Sequence, residues 1–515
     1  MDIGSLISRN GRFRAEHIAV DFEGVRLTHA EFDLQVNQLA NALLRAGLNK
    51  GDKLATVLSN CMELLTLYWA CAKTGIVIVP LSPLLLPSGL AGLIKDSDSI
   101  MVFVAPAHAD NIEACRGELE QVRSDRFIMV GGEREGYTPY GDFIAGAANT
   151  APPDAGIRSG DMYNIFYSSG TTGTPKGIVH THFIRAMYGS LFANAWRMSP
   201  ESIVLHSGAI IFNGAFLTLL PAFYLGCTFI MHEAFDAGKY IRTIEREKVT
   251  HVVLVPSQIV AVLNHPDYAP SKLQSLQMLQ SVGAPLHLEV KKQIARDLPG
   301  RYYELYGLTE GFFTILDKVD APRKLASVGC EPPLTQVRIV REDGSDCEAG
   351  EVGEIVGRGP CVMPGYYKRP DLTKAAIRDG WLYSGDMGYM DEDGFVYLAD
   401  RKKDMIISGG VNVYPRDIEE VIAGHEGVQA VAVFGAPDEK WGETPFAAIV
   451  LKKNTQISTA EMKDWINARV GAKFQRVSRV VFLSDFPYNA AGKILKRELR
   501  DRYSQQTASP DEGMS

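Results

Sequence analysis

Paired cysteines are missing from this sequence. Seven cysteines are scattered along its 515 residues, their number is odd, and no two of them form a C-x-x-C pair. This arrangement argues against a disulfide framework and offers no zinc-binding spacing. It is typical of reduced thiols in a cytosolic protein, so we predict a cytoplasmic location.

An excess of positive charge is also missing. Lys and Arg number 53 against 61 Asp and Glu, which gives a net charge of −8 at pH 7. This balance argues against a surface that binds nucleic acid or anionic membranes, and small molecules are the expected partners. The N-terminal stretch carries no apolar run of the kind found in secretory signals, and the sequence has no internal repeats or low-complexity tracts.

Charged residues are absent from one long run, residues 209–226, which is long enough for a membrane span to be considered. Asn213, Gly214 and Pro221 interrupt this run, and no cluster of Lys or Arg follows it. We therefore predict a buried helix followed by a strand, and no membrane span.

What the sequence does contain is an alternation of apolar strands and amphipathic helices. A chain of this length is too long for one hydrophobic core. The spacing of apolar residues predicts helices over residues 31–47 and 63–75, and short apolar runs predict strands over residues 54–60, 76–83, 100–105, 127–132, 227–233 and 251–257. Together they predict an α/β fold, in which a large N-terminal domain contains several subdomains with layered, largely parallel sheets.

The pattern changes in the last third of the chain. The sequence DEDG at residues 391–394 lies between two β-rich runs and predicts a hairpin. A charged run at residues 400–404 is followed by alternating helices and strands, which predict a small, mobile α+β domain. We place the N-terminal domain at residues 1–402, the C-terminal domain at residues 403–503 and a disordered tail at residues 504–515.

A loop rich in hydroxyl groups and glycine, YSSGTTGTPKG at residues 167–177, follows a short apolar strand. Its glycines allow backbone N–H groups to turn inward, and its hydroxyls and Lys176 can bind phosphate oxygens. It is not a Walker loop, because Lys176 follows a proline and precedes Gly177. On composition alone, a phosphate grip and a plain linker are about equally good interpretations.

Four further motifs follow this loop: SVGAPL at residues 281–286, YGLTE at 306–310, a long motif from WLYSGD to VNVYP at 381–415, and PYNAAGKILKREL at 487–499. With these five motifs in this order, the sequence resembles the adenylate-forming superfamily of acyl-CoA synthetases, luciferases and peptide-synthetase adenylation domains. The resemblance covers nearly the whole chain. It implies that the loop holds the β- and γ-phosphates of ATP.

The resemblance also implies which residues bind ATP and AMP. Tyr306 offers a ring face to adenine, Asp386 and Arg401 contact the ribose, Thr309 lies near the α-phosphate, and Glu310 meets Mg²⁺. Thr309 and Glu310 are also predicted to be catalytic. The remaining nucleotide-binding candidates are Ser168, Ser169, Gly170, Thr171, Thr172, Gly173, Thr174, Lys176, Gly283, Ala284, Pro285, Glu304, Leu305 and Gly307.

Lys493 is the main catalytic candidate in the small domain. An ammonium group placed between the acyl oxygen and the α-phosphate stabilises the charge that develops as the carboxylate attacks. Because Lys493 is distant in sequence from Lys176, the small domain has to close to complete the site. By resemblance Lys403 is the hinge, and Gly409 and Gly410 line the channel for the pantetheine arm of CoA.

The expected acyl pocket departs from the family pattern. Its candidate residues are Ile211, Phe212, Asn213, Gly214, Gly311 and Phe312, with Phe313 beside them. Ile211 stands where many relatives carry a histidine, which makes the predicted wall more apolar. Asn213 stands near the position where amino-acid-activating relatives carry an aspartate, and a neutral amide cannot pair with a substrate ammonium. Amino acids are therefore disfavoured.

The sequence thus predicts an AMP-forming carboxylate–CoA ligase that uses ATP, Mg²⁺ and coenzyme A, as a monomer or homodimer. Two substrate classes remain open: aromatic acids of the benzoate or cinnamate type, which are slightly favoured, and medium-chain fatty acids. One alternative is an enzyme that forms acyl-AMP without using free CoA. Another is an inactive nucleotide-binding relative, although Lys176, Glu310, Asp386 and Lys493 are all present.

Overall fold

Helices alternate with strands along most of the chain. The computed structural model describes residues 2–168, 175–401, 404–408, 411–438, 441–488 and 494–504. The helices are α1 (Ser5–Phe13), α2 (His29–Arg45), α3 (Met62–Thr74), α4 (Pro87–Asp96), α5 (Ala109–Arg116), α6 (Tyr140–Ile144), α7 (His182–Ala195), α8 (Phe216–Leu225), α9 (Ala237–Glu247), α10 (Pro256–Leu263), α11 (Leu288–Asp297), α12 (Ala321–Lys324), α13 (Pro370–Ala376), α14 (Pro415–Ala423), α15 (Thr459–Asn467) and α16 (Lys496–Ser504).

The strands are short, as expected for buried strands of an α/β protein. They are β1 (Ile18–Phe22), β2 (Val25–Thr28), β3 (Lys53–Val57), β4 (Val77–Pro80), β5 (Ser99–Val104), β6 (Phe127–Met129), β7 (Thr138–Pro139), β8 (Met162–Ser168), β9 (Lys176–Thr181), β10 (Ile203–His206), β11 (Thr228–Met231), β12 (His251–Leu254), β13 (Met278–Val282), β14 (Tyr302–Gly307), β15 (Phe313–Leu316), β16 (Gln336–Val340), β17 (Gly353–Arg358), β18 (Ile377–Arg378), β19 (Trp381–Met390), β20 (Val396–Arg401), β21 (Ile406–Ser408), β22 (Val411–Val413), β23 (Val428–Asp438), β24 (Gly442–Leu451) and β25 (Arg479–Leu483).

Several helix ends are encoded locally. The side chain of Thr28 accepts a hydrogen bond from the backbone N–H of Glu31, and the Glu31 carboxylate accepts one from the backbone N–H of Thr28, which forms a capping box at the start of α2. Helices α3 and α8 end at Gly75 and Gly226, both in the left-handed conformation that favours glycine. The helix predicted at residues 31–47 corresponds to α2, which begins and ends two residues earlier, and the helix predicted at residues 63–75 corresponds to α3.

Two large sheets form the N-terminal part. The first has eight strands in the order β15-β14-β13-β12-β10-β11-β1-β2, parallel except for antiparallel β2 and β15 at its two edges. The second has seven strands in the order β7-β6-β5-β3-β4-β8-β9, parallel except for the β8–β9 hairpin. Side chains from α2, α3, α7 and α8 join both sheets in one apolar cluster. The layered α/β architecture predicted from the sequence is confirmed.

The uncharged run at residues 209–226 folds into a short turn at Asn213–Ala215 followed by α8, and β11 comes next. Pro221 lies inside α8, which is buried between the sheets. In the parts of the chain that the structure describes, no helix is long and apolar enough to cross a membrane. The prediction of a buried helix followed by a strand is confirmed.

Two smaller five-stranded sheets follow. Strands β16 to β20 form a largely antiparallel sheet that includes the β19–β20 hairpin around residues 391–394. Strands β21 to β25 form the last sheet, which packs with α14 and α15. The boundary predicted between residues 402 and 403 lies outside the described residues, as does the predicted disordered tail from residue 505 onward.

Helix α14 contacts the N-terminal part through Glu420 and Arg416. Glu420 accepts a hydrogen bond of 3.3 Å from the backbone N–H of Leu288, at the start of α11, and its other oxygen lies 3.5 Å from Nδ1 of His287. Arg416 donates a hydrogen bond of 3.1 Å to the carbonyl of Leu398 in β20. The small C-terminal unit therefore rests on α11 and β20.

Candidate active site

The β8–β9 hairpin presents the predicted phosphate loop. Ser168 ends β8, Lys176 begins β9, and the two residues pair across the hairpin. The loop residues between them, Ser169, Gly170, Thr171, Thr172, Gly173 and Thr174, lie outside the described residues. The hairpin nevertheless fixes where this loop leaves and rejoins the sheet.

Lys176 and Glu310 meet at the ring of Tyr366. The ammonium of Lys176 lies 5.0 Å from the centroid of this ring, and the Tyr366 hydroxyl donates a hydrogen bond of 3.0 Å to Oε1 of Glu310. Burial and the adjacent Glu310 carboxylate raise the pKa of Tyr366, so its hydroxyl stays protonated and donates. The fold thus brings together two motifs whose residues Lys176 and Glu310 are 134 positions apart in the sequence.

Tyr366 was not predicted as a site residue. It lies in the segment 363–367, where Tyr366 forms a bridge with Ile178 of β9, and the backbone N–H of Met363 donates to the carbonyl of Glu310. This segment is therefore held against both β9 and the Glu310 loop. The repeated aromatic residues in PGYYKRP were the available signal, but nothing in their spacing indicated a contact with Glu310.

Tyr306 and Asp386, predicted to contact adenine and ribose, are also brought together. The Tyr306 hydroxyl donates a hydrogen bond of 2.9 Å to Oδ2 of Asp386. Asp386 pairs in β19 with Arg401 of β20, which places the second ribose candidate on the neighbouring strand. These residues can therefore act on one ligand.

The predicted adenine wall lies beside Tyr306. Val282 pairs with Leu305, so Gly283 directly follows the end of β13 next to Tyr306 on β14. Gly283 has a φ of 93°, a conformation that favours glycine, and Ala284 and Pro285 follow at the surface. Ligands of open α/β sheets bind at the carboxyl ends of the strands, and this wall occupies such a position.

Glu304 needs a narrower assignment than the one predicted. Its carboxylate is buried in an ion pair with Lys291 of α11 and accepts a hydrogen bond of 2.9 Å from the Tyr302 hydroxyl. A nucleotide contact through this carboxylate would have to break a buried ion pair, which is costly. Any contribution of Glu304 to nucleotide binding therefore comes from its backbone. Leu305 is buried and Gly307 is exposed.

The predicted acyl wall begins at Ile211, which is buried in the main apolar cluster, and continues through half-buried Phe212, Asn213 and Gly214. The side chain of Asn213 is hydrogen-bonded to Arg185, at 2.8 Å. The predicted wall therefore combines the apolar Ile211 with a polar side chain that is held by Arg185.

Gly311 and Phe312 differ in their positions. A side chain on Gly311 would collide with the backbone of Val362, so glycine allows the segment containing Tyr366 to pass. Phe312 packs near Tyr306, at 6.3 Å between ring centroids, on the nucleotide side. Phe313 packs in the main cluster on the side of Ile211. Phe313 therefore shares the apolar cluster that contains Ile211, whereas Phe312 belongs to the cluster that contains Tyr306.

Several predicted site residues, most of them in the small unit, are not described by the structure. Lys403, Gly409, Gly410 and Lys493 lie outside the described residues, and the side chains of Ser168 and Arg401 do as well. Their predicted roles stay predictions.

The chain matches two family models. The model "AMP-binding enzyme" matches residues 7–367, and the model "AMP-binding enzyme C-terminal domain" matches residues 417–493. The chain is 35% identical over 517 residues to a feruloyl-CoA synthase of Amycolatopsis, covering 97% of this chain and 99% of the relative. It is 33% identical to the long-chain-fatty-acid–CoA ligase FadD13 of Mycobacterium tuberculosis, covering 93% and 94% of the two chains. The crystal structure of ATP-bound MatB from Rhodopseudomonas palustris superposes with a TM-score of 0.88 at 28% identity, covering 98% of this chain and 99% of that one.

Proposed function

The chain belongs to the AMP-binding enzyme family, among its ATP-dependent acyl-CoA ligases, and from this premise we propose that it activates a hydrophobic aromatic acid. The acid and ATP give acyl-AMP and pyrophosphate, and acyl-AMP and CoA then give acyl-CoA and AMP. The observation that carries the assignment of the site is the contact of Lys176 and Glu310 through Tyr366, next to the pair of Tyr306 and Asp386.

In the first half-reaction a carboxylate oxygen of the acid attacks the α-phosphorus of ATP, and pyrophosphate leaves. Lys176 and the loop before it hold the leaving phosphates, and Tyr306 and Asp386 hold the nucleoside. The Thr309 hydroxyl lies near the attacked phosphate. The Lys176 ammonium can pair with phosphate oxygens, the Tyr306 ring can stack on adenine, and the Asp386 carboxylate can accept hydrogen bonds from the ribose hydroxyls.

The surroundings of Glu310 suit a Mg²⁺ ion whose other ligands are mainly phosphate oxygens and water. The Glu310 carboxylate is half-buried, its Oε1 accepts from Tyr366, and its neighbourhood contains the Lys176 ammonium. One or two protein carboxylates are the usual contribution to a magnesium site at a nucleotide. When bound, the ion neutralises charge on the phosphates. The protein's contribution is to hold the Glu310 carboxylate in place through Tyr366.

Lys493 supplies the second cation of the adenylation step when residues 403–503 close over residues 1–402 with Lys403 as the hinge. A second orientation, with Gly409 and Gly410 beside the pantetheine arm, serves thioester formation. In that step the CoA sulfur attacks the acyl carbonyl carbon, and AMP leaves.

The buried side chain of Gln280 favours, as substrate, an aromatic acid that carries an oxygen substituent. Its register partners in β12 and β14, Val253 and Tyr303, both point into the apolar cluster that contains Ile211, so Gln280 shares that face. It is fully buried, and neither its amide oxygen nor its amide nitrogen has a hydrogen-bond partner within the described ranges. A substituent with a hydroxyl or ether oxygen would satisfy this amide, whereas an alkyl chain would not. The feruloyl-CoA synthase among the relatives is named for an aromatic acyl group.

Replacing Gln280 with leucine tests this substrate class. We expect kcat/KM for a hydroxylated cinnamic acid to fall about tenfold or more, since losing one buried hydrogen bond costs about 1–3 kcal/mol. The value for a medium-chain fatty acid should stay unchanged or rise. The melting temperature should not fall, because an unpaired buried amide is removed. Equal effects on both acids would contradict the role of Gln280 in recognition.

The function as a whole is tested by pyrophosphate release with ATP and Mg²⁺ across a panel of carboxylic acids, each with and without CoA. Sustained turnover with an aromatic acid only when CoA is present is the expected result. Release that is independent of CoA would favour an enzyme that stops at acyl-AMP. Preference for medium-chain fatty acids would overturn the proposed substrate class alone.

A further inference from the structure

A buried polar cluster joins the acyl wall to the Glu310 loop. Arg185, on α7, donates hydrogen bonds of 2.8 Å to the amide oxygens of Asn164 and Asn213 and contacts Nδ1 of His180 at 3.2 Å. On the other side of the His180 ring, Nε2 lies 2.8 Å from the backbone carbonyl oxygen of Thr309. A chain of contacts thus runs from Asn213 to Thr309.

The donors in this chain fix the protonation of His180. A guanidinium can only donate, so Nδ1 of His180 accepts from Arg185. The Asn164 amide nitrogen also lies 3.2 Å from Nδ1, and it too donates because its own oxygen accepts from Arg185. The single ring proton is therefore on Nε2, where it is donated to the Thr309 carbonyl. Burial, and then the charge of Arg185, hold the pKa of His180 well below its usual value, so the ring stays neutral.

Arg185 is placed where a charge is costly. It is fully buried, and no carboxylate pairs with it in the described parts of the chain. The rings of Phe166, Tyr188 and Phe216 lie 4.3 to 5.3 Å from its central carbon. Burial lowers its pKa to about 10, which still leaves it protonated at neutral pH. A buried charge without a counter-ion is poorly justified by stability alone.

We propose that Arg185 and His180 form a positioning pair for adenylation: Arg185 holds Asn213 of the acyl wall, and His180 holds the backbone at Thr309, next to Glu310. The inference rests on the proposed function. His180 is on β9, whose first residue is Lys176, and Arg185 is in the first turn of α7, the helix that follows β9. The pair therefore fixes the acid-binding wall, the phosphate-binding hairpin and the Glu310 loop relative to one another, which sets the approach of the carboxylate to the α-phosphate.

The test compares His180→Phe with His180→Gln. Phenylalanine fills the space of the ring but removes the acceptor for one N–H group of Arg185 and the donor to the Thr309 carbonyl. Glutamine can place an N–H near the position of Nε2 and an oxygen that accepts from Arg185. We expect H180F to lower kcat for pyrophosphate release about 10- to 100-fold, as for other groups that hold a metal ligand in place. H180Q should retain most of the rate, and H17Q, at an exposed histidine, serves as the matched control.

Two readouts separate positioning from a general loss of structure. Thioester formation from supplied acyl-AMP should remain within about threefold of wild type in H180F, since adenylation alone uses the Glu310 loop for MgATP. Nitrogen-15 NMR of histidine-labelled protein should show His180 with its proton on Nε2. A wild-type rate of adenylation in H180F, an equal loss of both half-reactions with a lower melting temperature, or a proton on Nδ1 would each overturn the inference. If the wild type itself showed no adenylation with any acid, the proposed function would fail, and the NMR result would still decide the geometry of the pair.

Discussion

Replacing Glu310 with glutamine is expected to lower the rate of pyrophosphate release about 10²- to 10³-fold, the usual cost of removing one electrostatic contact from a transition state. Glutamine keeps the acceptor for Tyr366 and the shape of the side chain, so only the negative charge is lost. The apparent Mg²⁺ concentration for half-maximal rate should rise in the same variant. Steady-state rates over a Mg²⁺ titration measure both effects.

Glu392→Gln is a suitable control for this experiment, because Glu392 is an exposed carboxylate in the turn of the β19–β20 hairpin. It changes the net charge of the protein by the same amount without touching the site. If E310Q kept the wild-type dependence on Mg²⁺, Glu310 would not be a metal ligand, and the contact of Lys176, Tyr366 and Glu310 would need another explanation.

Replacing Lys493 with alanine is expected to separate the two half-reactions. Adenylation should fall about 10²- to 10³-fold because the cation at the developing negative charge is lost. Thioester formation from supplied acyl-AMP should continue, since we propose that this step uses another orientation of the small domain, without Lys493 at the phosphate. Pyrophosphate release measures the first rate, and acyl-CoA formation from synthetic acyl-AMP measures the second.

The matched control is Lys453→Ala, at an exposed lysine of the same C-terminal unit. It should leave both half-reactions unchanged. Equal loss of both in K493A would contradict the catalytic role assigned to Lys493 and would instead indicate a change in the whole small domain.

The sequence predicted the fold well because apolar periodicity determines most elements here. The predicted helix at residues 63–75 differs from α3 by one residue at each end, the predicted strand at residues 100–105 overlaps β5, and the predicted strand at residues 251–257 contains β12. These are buried or amphipathic segments with local end signals, which need no tertiary information. The uncharged run at residues 209–226 was interpreted correctly for the same reason.

The site was predicted where motifs are contiguous and missed where it is assembled across the chain. Tyr306 and Glu310 stand in one short motif, so their proximity followed from the sequence. The contact of Tyr366 with Glu310 depends on how the segment 363–367 pairs with β9, which no local pattern encodes. Phe312 and Phe313 could not be assigned to their faces until the start of β15 was known.

The same limit applies to the acyl wall. The apolar residue at position 211 predicted a more apolar wall, but Arg185 of α7 holds Asn213 of that wall, and Gln280 of β13 is a contact that we propose for the acid. From the sequence alone, a buried polar residue in an apolar run cannot be told from one that only packs in the core. Only its lack of a partner, or its contact with a distant side chain, distinguishes it.

The contact of Glu420 with the start of α11 is electrostatic, so its strength depends on the ionic strength of the medium. This carboxylate meets the positive end of the α11 dipole and His287, and its side chain is still partly open to solvent. Such contacts are weakened as counter-ions accumulate, because the Debye length shrinks from about 10 Å at 0.1 M salt to about 3 Å at 1 M. High salt is therefore expected to weaken the contact of α14 with α11, and in the proposed cycle of domain closure the share of molecules in each orientation would depend on the medium as well as on the bound substrate.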